Sequence, residues 1–242
     1  MSNTQKKHAH KSSALFTLEE VRRFKDEAQR TGSGWFLSEE ARNFSLKTHI
    51  EAAKGGDVWV FAYGSLMWRP TFRSIDQRKA HLRGYHRTFC LTSFISVGTP
   101  DRPGLTVAID RGGSCTGIAY RVAADHVADA FAVMWYREML TGSYEPRWVT
   151  IQIEGLGRVR ALTFVLNRDH PAHERALTEE QTAERIAHAR GGMGANYGFL
   201  FRLMKCLEEM NVVDGPMSQL ESRVRAVLAH DAAVTQEPAT AK

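Results

Sequence analysis

The stretch Val58-Trp59-Val60-Phe61-Ala62-Tyr63-Gly64-Ser65-Leu66-Met67-Trp68 is an apolar run that stops abruptly in a Tyr-Gly-Ser-Leu turn. Continuous apolar character of this kind is the pattern of a strand buried on both faces. Gly64 lets the chain turn at the strand's end, where a Cβ would crowd the backbone. Gly64, Ser65 and Leu66 then present successive N–H groups with little side chain in the way. Such a row of amides can cradle an anion or a carboxylate. A plain strand-ending turn is the simpler reading of the same residues.

Outward from this strand, which the pattern places at 57–63, further strands are expected at 82–94, 104–110, 114–122, 147–154 and 157–166, where Val, Ile, Phe, Tyr and Thr are frequent. Arg111-Gly112-Gly113-Ser114 separates two of them and predicts a hairpin. A helix is predicted over about 124–139, with Val127, Ala130, Phe131 and Met134 at helical spacing. Three more are predicted at 178–189, 195–210 and 216–230, with Thr178 and Gln181 at capping-box spacing and Pro216 suited to a first turn. Many strands with interspersed and terminal helices indicate an α+β fold whose sheet curls into a barrel.

The domain plan follows. Residues 1–14 read as a disordered basic tail, 15–56 as a helical N-terminal extension, 57–230 as the main domain and 231–242 as a frayed C-terminus. Within the extension, Thr17 with Glu20 has capping-box spacing, and Ser38 caps a weaker helical stretch that Gly55-Gly56 closes.

At 242 residues the chain is long enough for one large domain with an appendage, and its 43% hydrophobic and 24% charged residues are ordinary for a soluble globular protein. No apolar run approaches the roughly 18 residues that span a bilayer, so no membrane association is expected. The polar, basic N-terminus lacks the apolar core of a secretory signal, and the simplest compartment is the cytoplasm. Lys6, Lys7 and Lys11 supply three of the +5 formal charges, leaving the rest nearly balanced. Without a concentrated basic face interleaved with aromatics, nucleic acid is not an expected partner. Cys90, Cys115 and Cys206 lie far apart without C-x-x-C spacing, and His8 and His10 are too few for a metal tract. The cysteines read as small core hydrophobes. The sequence carries no signature of an oligomeric state.

A second segment bears chemistry: Trp135-Tyr136-Arg137-Glu138-Met139-Leu140-Thr141-Gly142-Ser143-Tyr144-Glu145. Glu138 closes the predicted helix, where the helix dipole is negative and a carboxylate is not stabilised. Flanked by Trp135, Tyr136 and Tyr144, it is open to partial desolvation, which raises a carboxyl pKa towards the range of a general base. The alternative is a surface pair with Arg137 or Arg147.

Taken together, the chain resembles the ChaC family of glutathione-specific γ-glutamylcyclotransferases. The resemblance rests on residues 58–68, Gly-Tyr-His-Arg-Thr-Phe-Cys-Leu at 84–91, Arg-Pro-Gly-Leu at 102–105, Gly-Ile-Ala-Tyr-Arg at 117–121, Tyr-Arg-Glu-Met-Leu-Thr-Gly-Ser-Tyr at 136–144 and Gly-Gly-Met-Gly-Ala-Asn at 191–196. These run in the family's order through about residues 57–210; residues 1–55 lie outside. The resemblance implies a γ-glutamylcyclotransferase-like mixed β-barrel with flanking helices. It implies a lyase that splits glutathione into 5-oxoproline and cysteinylglycine without water as a reactant, and residues 57–230 become its catalytic domain.

The resemblance carries Glu138 over as general acid/base and Tyr63, Gly64, Ser65 and Leu66 as the loop that holds the γ-glutamyl group. Ser65 lacks a G-x-S-x-G elbow and reads as a binding residue, not a nucleophile. Arg87 is a candidate partner for a substrate carboxylate or else a structural ion-pair member. Arg102 is a similar candidate for the glycine end of glutathione. Tyr144 either orients Glu138 by a hydrogen bond or fills the core. The scheme calls for no metal and no organic cofactor. One departure stands out: family members usually carry Asn-x-x-Tyr-Leu where this chain reads Asn196-Tyr197-Gly198-Phe199-Leu200, with Phe199 at the tyrosine position. Two alternatives remain open, a cyclotransferase for other γ-glutamyl amines and a non-catalytic module that binds a small acid.

Overall fold

A computed structural model describes residues 35–236 and, ahead of them, Asp26. The expected basic tail at 1–14, the capping-box helix at Thr17 and Glu20, and residues 237–242 lie outside the described residues. Among the described residues the strands β1 (Val58–Ala62), β2 (Asp76–Ser93), β3 (Gly104–Val122), β4 (Tyr144–Ile153) and β5 (Gly157–Leu166) close into a barrel in the order β1-β3-β2-β4-β5. Closure is made by β1, which pairs antiparallel with β3 and parallel with β5 through Trp59↔Ala161 and Val60↔Leu162. The sheet closes into a barrel, as the sequence pattern implied, and the barrel is mixed, as the family resemblance implied.

All five residues of β1 are buried. The physical reason is that the strand has protein on each side. Trp59 and Phe61 belong to one apolar cluster, while Val58 and Val60 alternate into another with Phe131, Met134, Trp135 and Phe164. The second cluster is covered by α2 (Val127–Glu138), whose Val127, Ala130, Phe131, Met134 and Trp135 are buried. The first continues into α3 (Glu179–His188), α4 (Asn196–Glu209) and α5 (Gly215–Gln236) through Ile186, Leu203, Leu207 and Val224.

Local signals placed several ends well. Thr178 caps α3 with both halves of a capping box formed to Gln181. Ser38 caps α1 (Glu39–Ala52), its Oγ accepting from the Ala41 amide at 3.1 Å. The α1 helix packs on α2, with the Trp135 indole N–H donating to Ser45 Oγ at 3.1 Å and the His49 ring 5.1 Å from that indole.

Other expectations are corrected. The Gly112-Gly113 hairpin does not form, because residues 104–122 are one continuous strand. Arg111 faces Tyr85 and Ser114 faces Arg83, both on β2, so the chain runs on instead of folding back. The glycines are used all the same: Gly84, Gly112 and Gly113 have φ of 85°, 100° and 66°, forming a bulge that bends a long two-stranded ribbon. Strand β2 starts at Asp76, six residues ahead of the expected 82, because its polar first residues lie on an exposed part of the sheet. Helix α5 runs to Gln236, so residues 231–236 are helical where fraying was expected. A two-residue pair, β6 (Arg190–Gly191) with β7 (Gly194–Ala195), was not foreseen. Among the described residues no helix is long and apolar enough to cross a membrane.

Candidate active site

A cavity of about 220 Å³ opens where β1 ends and α2 ends. Both elements terminate there because β1 runs into the Gly64 turn and α2 stops at Glu138, ahead of the Thr141-Gly142-Ser143 loop. Tyr63, Gly64, Ser65, Leu66, Glu138 and Tyr144 all line this one cavity. Two segments more than seventy residues apart in sequence thus converge on it.

Glu138 is the last residue of α2, and its side chain is 15% exposed. Oε1 lies 3.0 Å from Arg137 Nε, but the pair lacks hydrogen-bond geometry, and this buried oxygen accepts no hydrogen bond. Burial raises the Glu138 pKa above its ordinary value of 4.5, and the Arg137 charge pulls it partly back. Of the two surface partners considered for Glu138, Arg147 is engaged elsewhere, its Nη2 2.5 Å from Glu145 Oε2.

The facing turn is a 3₁₀ segment, Ser65–Met67, with the Met67 amide donating to Gly64 O at 2.8 Å and the Arg69 amide to Ser65 O at 3.0 Å. The first amides of such a turn have no partner within it and are available to a ligand. Gly64 has φ −127°, so its backbone does not itself demand glycine. What demands it is packing, because a Cβ there would stand 2.9 Å from Val107 Cγ1. Leu66 is buried.

The two tyrosines are held by backbone. Tyr63 Oη donates to Phe164 O at 2.7 Å, and Tyr144 Oη donates to Val107 O at 2.8 Å. Tyr144 therefore does not orient Glu138 by a hydrogen bond. Both phenols are pushed well up, first by burial and then by neighbouring groups that include Glu138.

Arg87 is not brought to the cavity. Its side chain is 0% exposed and fully engaged. Nε donates to Tyr63 O at 2.7 Å, Nη2 to Thr116 O at 2.5 Å and Nη1 to Asp214 Oδ2 at 2.6 Å. The structural reading of this arginine holds: it fixes the residue ahead of the turn and ties β2 to the start of α5. Arg102 also stands away, beside a shallow hollow with Glu180, Glu184 and His188.

Arg137 is the residue that sequence reasoning missed. Besides its Nε contact with Glu138, its Nη2 donates to Ser65 Oγ and its Nη1 donates to Arg69 O at 3.3 Å. It bridges the carboxylate and the turn. The only sequence signal was its adjacency to Glu138, which was equally consistent with a surface pair.

Phe199 lines the cavity, its ring 5.3 Å from Trp68 and 6.0 Å from Phe89. Tyr197 packs on Phe201 at 5.6 Å and is not among the lining residues, so it does not replace the missing hydroxyl. Asn196 is fully buried and clips α4 to β3, accepting from the Leu105 amide at 2.7 Å and donating to Leu105 O at 2.8 Å. All three cysteines are free and buried, and burial pushes Cys90 up to about 12 and Cys115 up to about 11.

Comparison with known proteins bears on this geometry. The chain is 35% identical over 176 residues, 73% of its length and 76% of the relative's, to the glutathione-specific γ-glutamylcyclotransferase of Escherichia coli. It is 32% identical over 168 residues, 68% of its length and 74% of the relative's, to the human glutathione-specific γ-glutamylcyclotransferase 1. A crystal structure of a yeast γ-glutamylcyclotransferase specific to glutathione superposes with a TM-score of 0.68 at 20% identity, covering 72% of this chain and 98% of that one, and shows that the fold is shared. The family model described as ChaC-like protein matches residues 58–227, which contain the β1 turn, Glu138 and the barrel that joins them, and the chain belongs to that ChaC-like family.

Proposed function

We propose that this protein is a γ-glutamylcyclotransferase that cleaves glutathione into 5-oxoproline and cysteinylglycine. The observation that carries this reading is that Glu138 and the Gly64–Leu66 turn line one cavity. The names of the Escherichia coli and human relatives give the substrate.

The chemistry follows from what these groups can do. The α-ammonium of the γ-glutamyl group has no lone pair and must lose a proton. An α-amino group titrates at about pH 8, so a base in the cavity faces a modest barrier. Glu138, desolvated and with a lone oxygen free of hydrogen bonds, takes that proton. The amine nitrogen then attacks the γ-carbonyl carbon of the same residue, and a five-membered ring closes. The bond from that carbon to the cysteine nitrogen breaks as Glu138 returns its proton to the departing nitrogen, and the second proton shed by the ring nitrogen goes the same way, so that cysteinylglycine leaves as its ammonium. Water is neither consumed nor formed.

Ring closure is intramolecular, so the protein's task is to hold the folded-back conformer; orientation of this kind supplies on the order of 7 kcal/mol or more. The amides of the turn hold either the α-carboxylate or the oxygen on which charge develops. Arg137, the backbone neighbour of Glu138, keeps the two halves in register through its bond to Ser65 and its charge beside the Glu138 carboxylate. Tyr63 and Tyr144, spent on backbone carbonyls, act as walls.

The test is incubation of the purified protein with glutathione and chromatography for 5-oxoproline and cysteinylglycine in equal amounts. Intact glutathione after long incubation would overturn the reading. So would release of free glutamate in place of 5-oxoproline.

A further inference from the structure

The cavity has walls from outside the region that the ChaC-like family model matches. Trp35 and Phe36 both line it, and they precede residue 58, where the match begins. Their placement is fixed by neighbours. The Leu37 amide donates to Leu140 O at 3.1 Å, in the loop that follows Glu138. Leu37 packs with the cluster beneath α2, and α1, which starts two residues later, is bonded to Trp135. The segment is thus laid against the catalytic loop by backbone and by core contacts.

Trp35 packs on two other residues that line the cavity. Its ring is 5.5 Å from His170, edge-on, and 5.9 Å from Phe94. His170 is itself spent: Nδ1 accepts from the Ala172 amide at 3.1 Å, which leaves Nε2 to donate to Thr141 O at 3.0 Å. Phe94, His170 and Met193 line the cavity with Trp35 and Phe36, so this wall is aromatic and thioether in character and carries no charge. If the glutamyl group lies against Glu138 and the 64–66 turn, the scissile nitrogen lies there too. The rest of the substrate then extends along the remaining walls. Its next group is a thiol side chain, which suits aromatic edges and faces.

We infer that Trp35 and Phe36 form the wall that receives the thiol-bearing residue of glutathione, making this N-terminal segment a specificity element of the active site. The inference rests on the functional reading above. It makes the segment a determinant of what leaves, not of how the ring closes.

The test uses the full chain and the variants Trp35→Ala and Phe36→Ala. Steady-state turnover of glutathione should show KM raised roughly ten-fold or more with kcat little changed. Product inhibition by cysteinylglycine should weaken to a similar degree, whereas inhibition by 5-oxoproline, which lacks the leaving residue, should not. Trp35→Phe, which keeps a ring at the wall, should recover most of the lost affinity. Should Trp35→Ala fail to fold, Phe36→Ala and Trp35→Leu carry the same comparison. Unchanged KM in the folded variants would overturn the inference. So would an equal weakening of both products, since that would make the segment a general support of the cavity. If the unmutated protein makes no 5-oxoproline, the functional reading fails and this inference with it; turnover without any effect of the variants sinks the inference alone.

Discussion

Arg137 holds Ser65 and Glu138 at once, its Nη2 donating to the serine hydroxyl while its Nε stands 3.0 Å from Glu138 Oε1. The consequence is that the carboxylate's basicity and the shape of the facing turn are not independent. A guanidinium that is 13% exposed both lowers the pKa of its neighbour and fixes the loop opposite.

Glu138→Gln should reduce turnover by roughly 10²- to 10⁴-fold while glutathione still binds, because the amide keeps the shape and loses the proton acceptor. The measurement is kcat for 5-oxoproline formation beside calorimetric binding of glutathione. Full turnover in the variant would remove Glu138 from the mechanism.

The same variant has a signed effect on stability. Burial raises the folded-state pKa of Glu138 above its unfolded value, so ionisation is disfavoured by folding. The wild-type protein loses stability as pH rises through that raised pKa, and Glu138→Gln does not. Thermal unfolding at neutral pH should therefore give a higher Tm for the variant, with the gap closing below the ordinary carboxylate range. A lower Tm at neutral pH would contradict the desolvation of Glu138.

The acid limb of kcat/KM should fall above the ordinary value of 4.5, since the proposed mechanism uses the ionised carboxyl of Glu138 as base. Arg137→Met removes the charge that pulls this pKa down, and the limb should move to still higher pH. Arg137→Lys should sit between the two. A limb that does not move would mean that Arg137 serves only to hold Ser65.

Gly64→Ala should distort the turn because the new Cβ meets Val107 Cγ1 at 2.9 Å, at a cost of about 1–3 kcal/mol. Val107→Ala in the same chain opens that space and should restore both Tm and KM. A double variant no better than Gly64→Ala alone would place the importance of Gly64 at the substrate, not at β3.

Arg87→Met leaves Asp214, whose side chain is 14% exposed, without its cation, and leaves Tyr63 O without its donor. Breaking a buried pair from one side costs about 3–5 kcal/mol. A lower denaturant midpoint is expected, with KM for the folded fraction little changed. A raised KM with unaltered stability would return Arg87 to substrate binding.

Much of the fold was legible because it depends on local signals. The β1 run, the Thr178–Gln181 capping box, the Ser38 cap and the apolar spacing of α2 are each decided within a few residues. Gly112-Gly113 shows the limit of that kind of reading. A glycine pair between apolar runs predicts a hairpin, yet whether two left-handed glycines end a strand or bend it depends on what lies opposite, here Arg83, Gly84 and Tyr85. The early start of β2 was hidden for a related reason: Asp76 to Lys79 are polar, and only their partners on β3 make them a strand.

By itself the sequence determined the residue types that this chemistry needs: an acid at a helix end, a glycine-bearing turn after a buried strand, and segments that align with the ChaC-like family. Their meeting in one cavity was decided by barrel closure, because β1 pairs with β5 and carries the 63–66 turn to the end of α2. Tertiary structure alone also took Arg87 out of the site, put Arg137 into it and brought Trp35 across from the N-terminal segment. Long side chains reach well beyond their own backbone positions, so spacing along the chain says where an arginine starts and not which group it ends on.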